Sequence, residues 1–195
     1  MTKYRKWGCV GDSITWGFAS TTPDKQSYPA VAGVPRIGRP GQCLTIPEYW
    51  PWVYDPFVTT FPGDIQTMKG WGVGVIVVEI GINELSVGTD DKVLTDAYSS
   101  LLAMGKQWDM KVILSPITPF GAGNPNVTQA MQDQRVRLNN WIRKHKYYMD
   151  YAKVLGGKTM LAKYDSGDHL HPSNAGHKAM GNALAAYITK HRFRV

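Results

Sequence analysis

Cysteine is scarce and poorly placed for a scaffold. Cys9 and Cys43 are the only two, and no Cys-x-x-Cys pair occurs, which excludes a disulfide framework and the usual paired-thiolate zinc motifs. Two buried free thiols or a single Cys9–Cys43 bridge both fit that count. No apolar run approaches the roughly 18 residues of a membrane-spanning helix, and neither an internal repeat nor a low-complexity tract is visible. Acids are outnumbered, 15 against 22 lysines and arginines, for a formal charge of +7. That balance suits acidic partners, including anionic polysaccharide or nucleic acid, without selecting one. The basic runs Arg143-Lys144-His145-Lys146 and Lys190-His191-Arg192 lack an accompanying stacking motif or phosphate loop and read as solvated helix faces. No nucleic-acid partner and no membrane are therefore expected, and oligomeric state is not encoded in any motif. Gly11-Asp12 interrupts the apolar stretch behind the basic start, so we expect no export signal and, by default, a cytoplasmic protein.

Cofactor signatures are missing too. Gly156-Gly157-Lys158-Thr159 looks like the end of a phosphate-binding loop, but Ala152 stands where its first glycine is required. Gly70, Gly72 and Gly74 precede a strand, whereas a dinucleotide fingerprint follows one. His169-Leu170-His171 has no third ligand beside it. We expect no cofactor and no metal. The Gly-x-Ser-x-Gly elbow of α/β-hydrolases is broken by Thr15 at its last position.

What the chain does have is an alternation of strand and helix signals. Residues 6–10 read as a first strand, and Tyr28-Pro29-Ala30-Val31 as a short helical turn. Val73 to Val78 is a continuous β-branched run that suits a parallel strand buried on both faces. Lys111 to Ser115 is a further strand ended by Pro116, and part of Tyr147 to Val154 a last one. Helices are expected from Asp64 to Lys69, from the Thr89-Asp90-Asp91 cap to about Gln107 with Val93 and Leu94 inward, across Val127 to Ile142 with Arg135 on another face, and after Ser173. Between Cys43 and Gly63 prolines and aromatics crowd together, which predicts a long ordered loop; Tyr49, Trp50, Trp52, Tyr54, Phe57 and Phe61 form either a local core or a sugar platform. The whole is expected to be one α/β domain over 1–195, a three-layer α/β/α sandwich around a parallel sheet of about five strands.

The first strand runs into Gly11-Asp12-Ser13-Ile14-Thr15, which puts a serine at the C-terminal rim of the sheet, where open α/β folds do chemistry. A serine hydroxyl needs a base to become a nucleophile, and the base needs an orienting carboxylate. Asp168-His169-Leu170-His171-Pro172 offers both: Asp168 lies three residues before His171 and Asp165 four before His169, and a proline follows only His171.

Ser13 near the start and Asp-x-x-His-Pro near the finish resemble the GDSL, or SGNH, hydrolase family, named for blocks that contribute Ser, Gly, Asn and His. The resemblance implies a flavodoxin-like SGNH fold and takes Gly41 as the second-block glycine, with Gly38 the weaker match. Gly81 and Asn83 match the third block, Gly-x-Asn-Asp, while Glu84 departs from it. It implies that Ser13 attacks an ester carbonyl, that His171 carries the proton, that Asp168 orients His171, which leaves His169 as a loop neighbour, and that the N–H groups of Ser13 and Gly41 with the amide of Asn83 hold the oxyanion. Substrates in the family range from acetylated sugars to lipids, thioesters and aryl esters. The expectation for this chain is a small-molecule or carbohydrate ester with a short acyl group, O-acetylated sugar in particular, since no lid helix is evident and Trp50, Trp52 and Tyr54 follow Gly41. The rival readings are a non-catalytic carbohydrate-binding domain on the same fold and a lipase or thioesterase of the same family.

Overall fold

Pairing on both sides of one central strand sets the architecture. The computed structural model describes residues 3–46, 55–121 and 123–195. In chain order the elements are β1 (Lys6–Gly11), α1 (Ser13–Trp16), α2 (Pro23–Gln26), α3 (Tyr28–Val31), β2 (Arg36–Gly38), α4 (Phe57–Gly70) and β3 (Val73–Glu79). There follow α5 (Ile82–Val87), α6 (Asp91–Gln107), β4 (Lys111–Leu114), α7 (Gln129–Arg143), α8 (Tyr151–Leu155) and α9 (Asn174–Lys190).

The sheet order is β2-β1-β3-β4, and every pairing is parallel. Val10 lies between Ile37 and Val78, and Val78 in turn pairs with Leu114. Because the chain goes from β1 to one side and then crosses to the other, the C-terminal ends of β1 and β3 border a topological switch point, the usual place for a ligand. Successive side chains of a strand point to opposite faces, so the burial of Val75, Ile76, Val77 and Val78, none more than 1% exposed, requires cover on both. That cover comes from α4, α6 and α7, packed one on the next, and from α9 with α3 and α8. The result is a three-layer α/β/α sandwich.

Among the described residues four strands form where about five were expected. The segment after α7 makes only one parallel bridge, Tyr148 to Leu114, with the Met149 N–H on the Leu114 carbonyl at 3.0 Å. Asp150 then caps α8 by accepting the Lys153 N–H at 3.0 Å, and the chain turns helical before a strand can extend. The helix expected at Asp64 starts earlier, at Phe57, and runs through Pro62. A proline inside a helix costs about 3 kcal/mol. Phe57, Phe61, Ile65 and Met68 recur on one face and are fully buried, and at about 1.5–3 kcal/mol each their burial outweighs that cost. Phe57 and Phe61 stack at 5.3 Å in this core; Tyr49, Trp50, Trp52 and Tyr54 lie outside the described residues.

Two side chains turn opposite to expectation. Val93 is exposed, whereas Arg135 is buried in α7 and donates to the carbonyls of Gly157 and Lys158 at 3.2 and 2.7 Å. Orphaned carbonyls of that tight turn supply acceptors that only a cation with a long stem can reach. Cys9 and Cys43 are both buried free thiols.

Candidate active site

Gly11 ends β1 so close to β3 that a Cβ there would collide with the Glu79 carbonyl. The next residue, Asp12, caps α1 through its Oδ1, which accepts the Ile14 N–H at 2.9 Å. Ser13 is therefore the first residue of a short helix aimed away from the sheet's rim, and it is 6% exposed. Gly38 lets β2 press on that helix, since any Cβ would run into the Trp16 backbone. Gly41, at φ +82°, supplies a left-handed turn in the loop that follows β2. The two candidate glycines thus have different tasks: one carries packing, the other a turn.

At the end of β3, Gly81 starts α5, and Asn83 sits in its first turn. Asn83 Nδ2 donates to the Gln42 carbonyl at 2.9 Å, and Gln42 in turn holds the carbonyls of Cys43 and Asp55 at 3.0 and 2.9 Å. Glu84, the departure from Gly-x-Asn-Asp, extends its longer side chain to the same loop, where Oε1 accepts the N–H groups of Leu44 and of Thr45, the latter at 3.0 Å. Burial pushes the Glu84 carboxyl up to about 7, against the pull of those two donors.

The loop before α9 brings the remaining groups. His171 Nε2 lies 2.9 Å from Ser13 Oγ, and His171 Nδ1 lies 2.7 Å from Asp168 Oδ2. Asp168 Oδ1 also accepts the N–H groups of Leu170 and His171 at 2.9 and 2.8 Å. Partial burial works against the Asp168 charge, but the His171 N–H, the His171 ring and the Leu170 N–H outweigh it and hold the carboxyl down at about 2. With the Nδ1 hydrogen on that carboxylate, Nε2 is left to accept a proton from Ser13. The N–H groups of Ser13 and Gly41 meet no acceptor among the described residues. Ser13, Asp168 and His171 are thus brought together, and Asn83 and Gly41 share one stitched loop system beside them.

Several contributors escape motif reading. The Phe18 ring lies 4.5 Å from the His171 ring and confines it. His177, in the first turn of α9, holds the Phe18 carbonyl at 3.2 Å, and burial pushes its pKa down to about 4, so it serves as a neutral donor. Asp12 and Glu79 are both buried beneath Ser13. Burial pushes Asp12 up to about 7 despite the Ile14 N–H, and pushes Glu79 well above the usual carboxylate range, with the neighbouring Asp12 charge adding to the effect. His169, expected to be only a loop neighbour, makes its own carboxylate pair with Asp165, Nδ1 to Oδ2 at 2.8 Å. Only the Asp-x-x-x-His spacing hinted at it.

A cavity of about 230 Å³ touches both Asn83 and Asp168, with Ile82, Phe120, Met131 and His169 among its walls. A larger hollow of about 560 Å³ lies at the opposite end of the sheet, around Arg5, Lys106 and Arg194, and touches none of these groups. Among the described residues no group of three or more His, Cys, Asp or Glu side chains is arranged to hold a metal ion.

A serine on an imidazole on a carboxylate, at the switch point of a parallel α/β sheet, defines the nucleophilic hydrolase class. The chain belongs to the GDSL-like lipase/acylhydrolase family, whose model matches residues 9–179. Solved structures share the fold at low identity. A carbohydrate acetylesterase family member from Sinorhizobium meliloti superposes with a TM-score of 0.75 at 15% identity, over 95% of this chain and 98% of that one. An aryl esterase from M. smegmatis gives 0.71 at 16% identity, over 95% and 99%. A GDSL-like lipase from Bacteroides thetaiotaomicron gives 0.71 at 18%, over 95% and 88%. No curated protein matches the chain in sequence.

Proposed function

We propose that this chain is a serine ester hydrolase that works through an acyl-enzyme, as one domain and without a cofactor, on short-chain acyl esters, O-acetylated carbohydrate in particular. The observation that carries the reading is the continuous relay from Ser13 Oγ through His171 to Asp168, at 2.9 and 2.7 Å. His171 Nε2 takes the Ser13 proton as Oγ attacks the carbonyl carbon; the imidazolium is stabilised by Asp168 and returns the proton to the departing alcohol. Water, deprotonated by the same imidazole, then releases the acid and restores Ser13. The oxyanion of each tetrahedral intermediate is held by the N–H groups of Ser13 and Gly41 and by the second Nδ2 hydrogen of Asn83, the first being given to Gln42.

A compact ester is favoured by the size of the cavity beside Asn83 and Asp168. At about 230 Å³ it is smaller than the roughly 300–1,000 Å³ pockets that take drug-sized ligands, which disfavours the lipase reading. Intact-mass measurement after treatment with a fluorophosphonate tests the mechanism: one adduct on the native chain and none on Ser13→Ala is expected. No adduct on the native chain would leave the non-catalytic carbohydrate-binding alternative. Faster turnover of p-nitrophenyl palmitate than of p-nitrophenyl acetate would overturn the acyl preference.

A further inference from the structure

The segment that supplies His171 carries a second imidazole–carboxylate pair. Asp165 Oδ2 lies 2.8 Å from His169 Nδ1, while Asp165 Oδ1 accepts the His169 and Gly167 N–H groups at 3.1 and 2.8 Å. This reproduces, one step over, the way Asp168 grips both the backbone and the ring of His171. The Asp165 side chain is largely buried, and that of His169 is 44% exposed. The His169 carbonyl is fixed as well, since it accepts the Gly121 N–H at 2.5 Å. Backbone and ring are therefore held on every side, and Nε2 alone has no partner among the described residues.

The backbone there is costly for a side chain. His169 has φ +61°, a left-handed conformation that costs an ordinary residue roughly 1–2 kcal/mol and glycine almost nothing. A loop needing only the turn would be served better by glycine, so the strain points to a use for the imidazole. Its position names the use, because His169 lines the same cavity as Asn83 and Asp168, with Ser86, Asn124 and Asn126 as further polar walls. With Nδ1 committed to the Asp165 carboxylate, the lone pair of the imidazole lies at Nε2 and is open to a donor. The natural complement to such an acceptor is a hydroxyl.

We infer that His169 is a specificity-determining residue whose Nε2 accepts a hydrogen bond from a free hydroxyl on the alcohol part of the ester, so that the preferred substrates are partially acylated polyols. This rests on the proposed ester hydrolysis at Ser13 and sharpens its substrate class. A fully acetylated sugar has no hydroxyl to donate and serves as the internal control.

The test compares kcat/KM for monoacetylated methyl glucoside, glucose penta-acetate and p-nitrophenyl acetate in the native chain, His169→Gly and His169→Gln. Glycine suits the backbone, and thermal melting checks the fold of both variants. In His169→Gly the ratio of the monoacetylated sugar to p-nitrophenyl acetate is expected to fall about tenfold, through KM, the equivalent of one hydrogen bond, while the ratio of the penta-acetate to p-nitrophenyl acetate stays level. His169→Gln, whose amide oxygen accepts, is expected to recover part of the loss. An unchanged first ratio in a native chain that does turn over the monoacetylated sugar overturns the role of His169 alone. Equal losses on both sugars do the same. A native chain that cleaves p-nitrophenyl acetate but neither sugar overturns the carbohydrate reading and this inference with it, and a native chain inert on all three overturns ester hydrolysis itself.

Discussion

Asn83 Nδ2 donates to the Gln42 carbonyl at 2.9 Å, which locks the end of β3 to the loop that carries Gly41. One amide thereby aligns one of the proposed oxyanion donors, the Gly41 N–H, as well as being another itself. Asn83→Ala is expected to lower kcat by about 10²–10³, the usual loss for one such donor, with part of the effect transmitted through Gly41. Steady-state kinetics on p-nitrophenyl acetate check this; a loss under threefold would remove Asn83 from the oxyanion site.

Ser13→Ala and His171→Ala are each expected to reduce turnover by roughly 10³-fold or more, because the relay acts as a unit. The double variant should lose little beyond either single one. Additive losses would mean that the two side chains act separately. Asp168→Ala should cost less, since it removes the orientation of an imidazole that Phe18 still confines.

Glu84 titrates from an ordinary value of 4.5 to about 7 in the folded chain. Its folded form binds the proton more tightly than its unfolded form, so Glu84 costs nothing in stability at low pH and progressively destabilises as pH rises from 4.5 to 7, after which the cost is constant. Glu84→Gln keeps an acceptor for Leu44 and Thr45 and removes that titration. Its melting temperature relative to the native chain should therefore be higher at pH 8 than at pH 5. The opposite trend in calorimetry would show that the carboxylate is stabilised where it lies.

Gly38 permits β2 to press against the backbone of Trp16. Gly38→Ala is expected to displace α1, lowering both melting temperature and kcat, whereas Gly63→Ala, at a site where a Cβ meets nothing, should change kcat by less than twofold. Equal behaviour of the two variants would dissociate α1 from β2.

Much of this molecule can be read from residue order because its signals are local. The β-branched run at Val75–Val78 demands a strand covered on both faces, and Asp90 and Ser173 announce helices by their caps. Ser13, Asp168 and His171 stand in short spacings whose chemistry is legible residue by residue, whereas Asn83 is picked out by the resemblance to the family's third block. The rest depends on distant partners. Prolines around Phe57 argue against a helix that tertiary burial then enforces, and Arg135 turns inward only because the 157–158 turn leaves carbonyls to fill. The Phe18 contact and the hold of Asp165 on a left-handed His169 arise from packing, which periodicity does not encode.

The contact between Ser13 and His171 joins residues 158 positions apart. A chain growing from its N-terminus completes the nucleophile early and must wait for most of its remaining length before the imidazole arrives. Under the proposed relay, a growing chain that has Ser13 but not yet His171 is inert toward esters, so ester hydrolysis reports that the loop before α9 has docked against the end of β1.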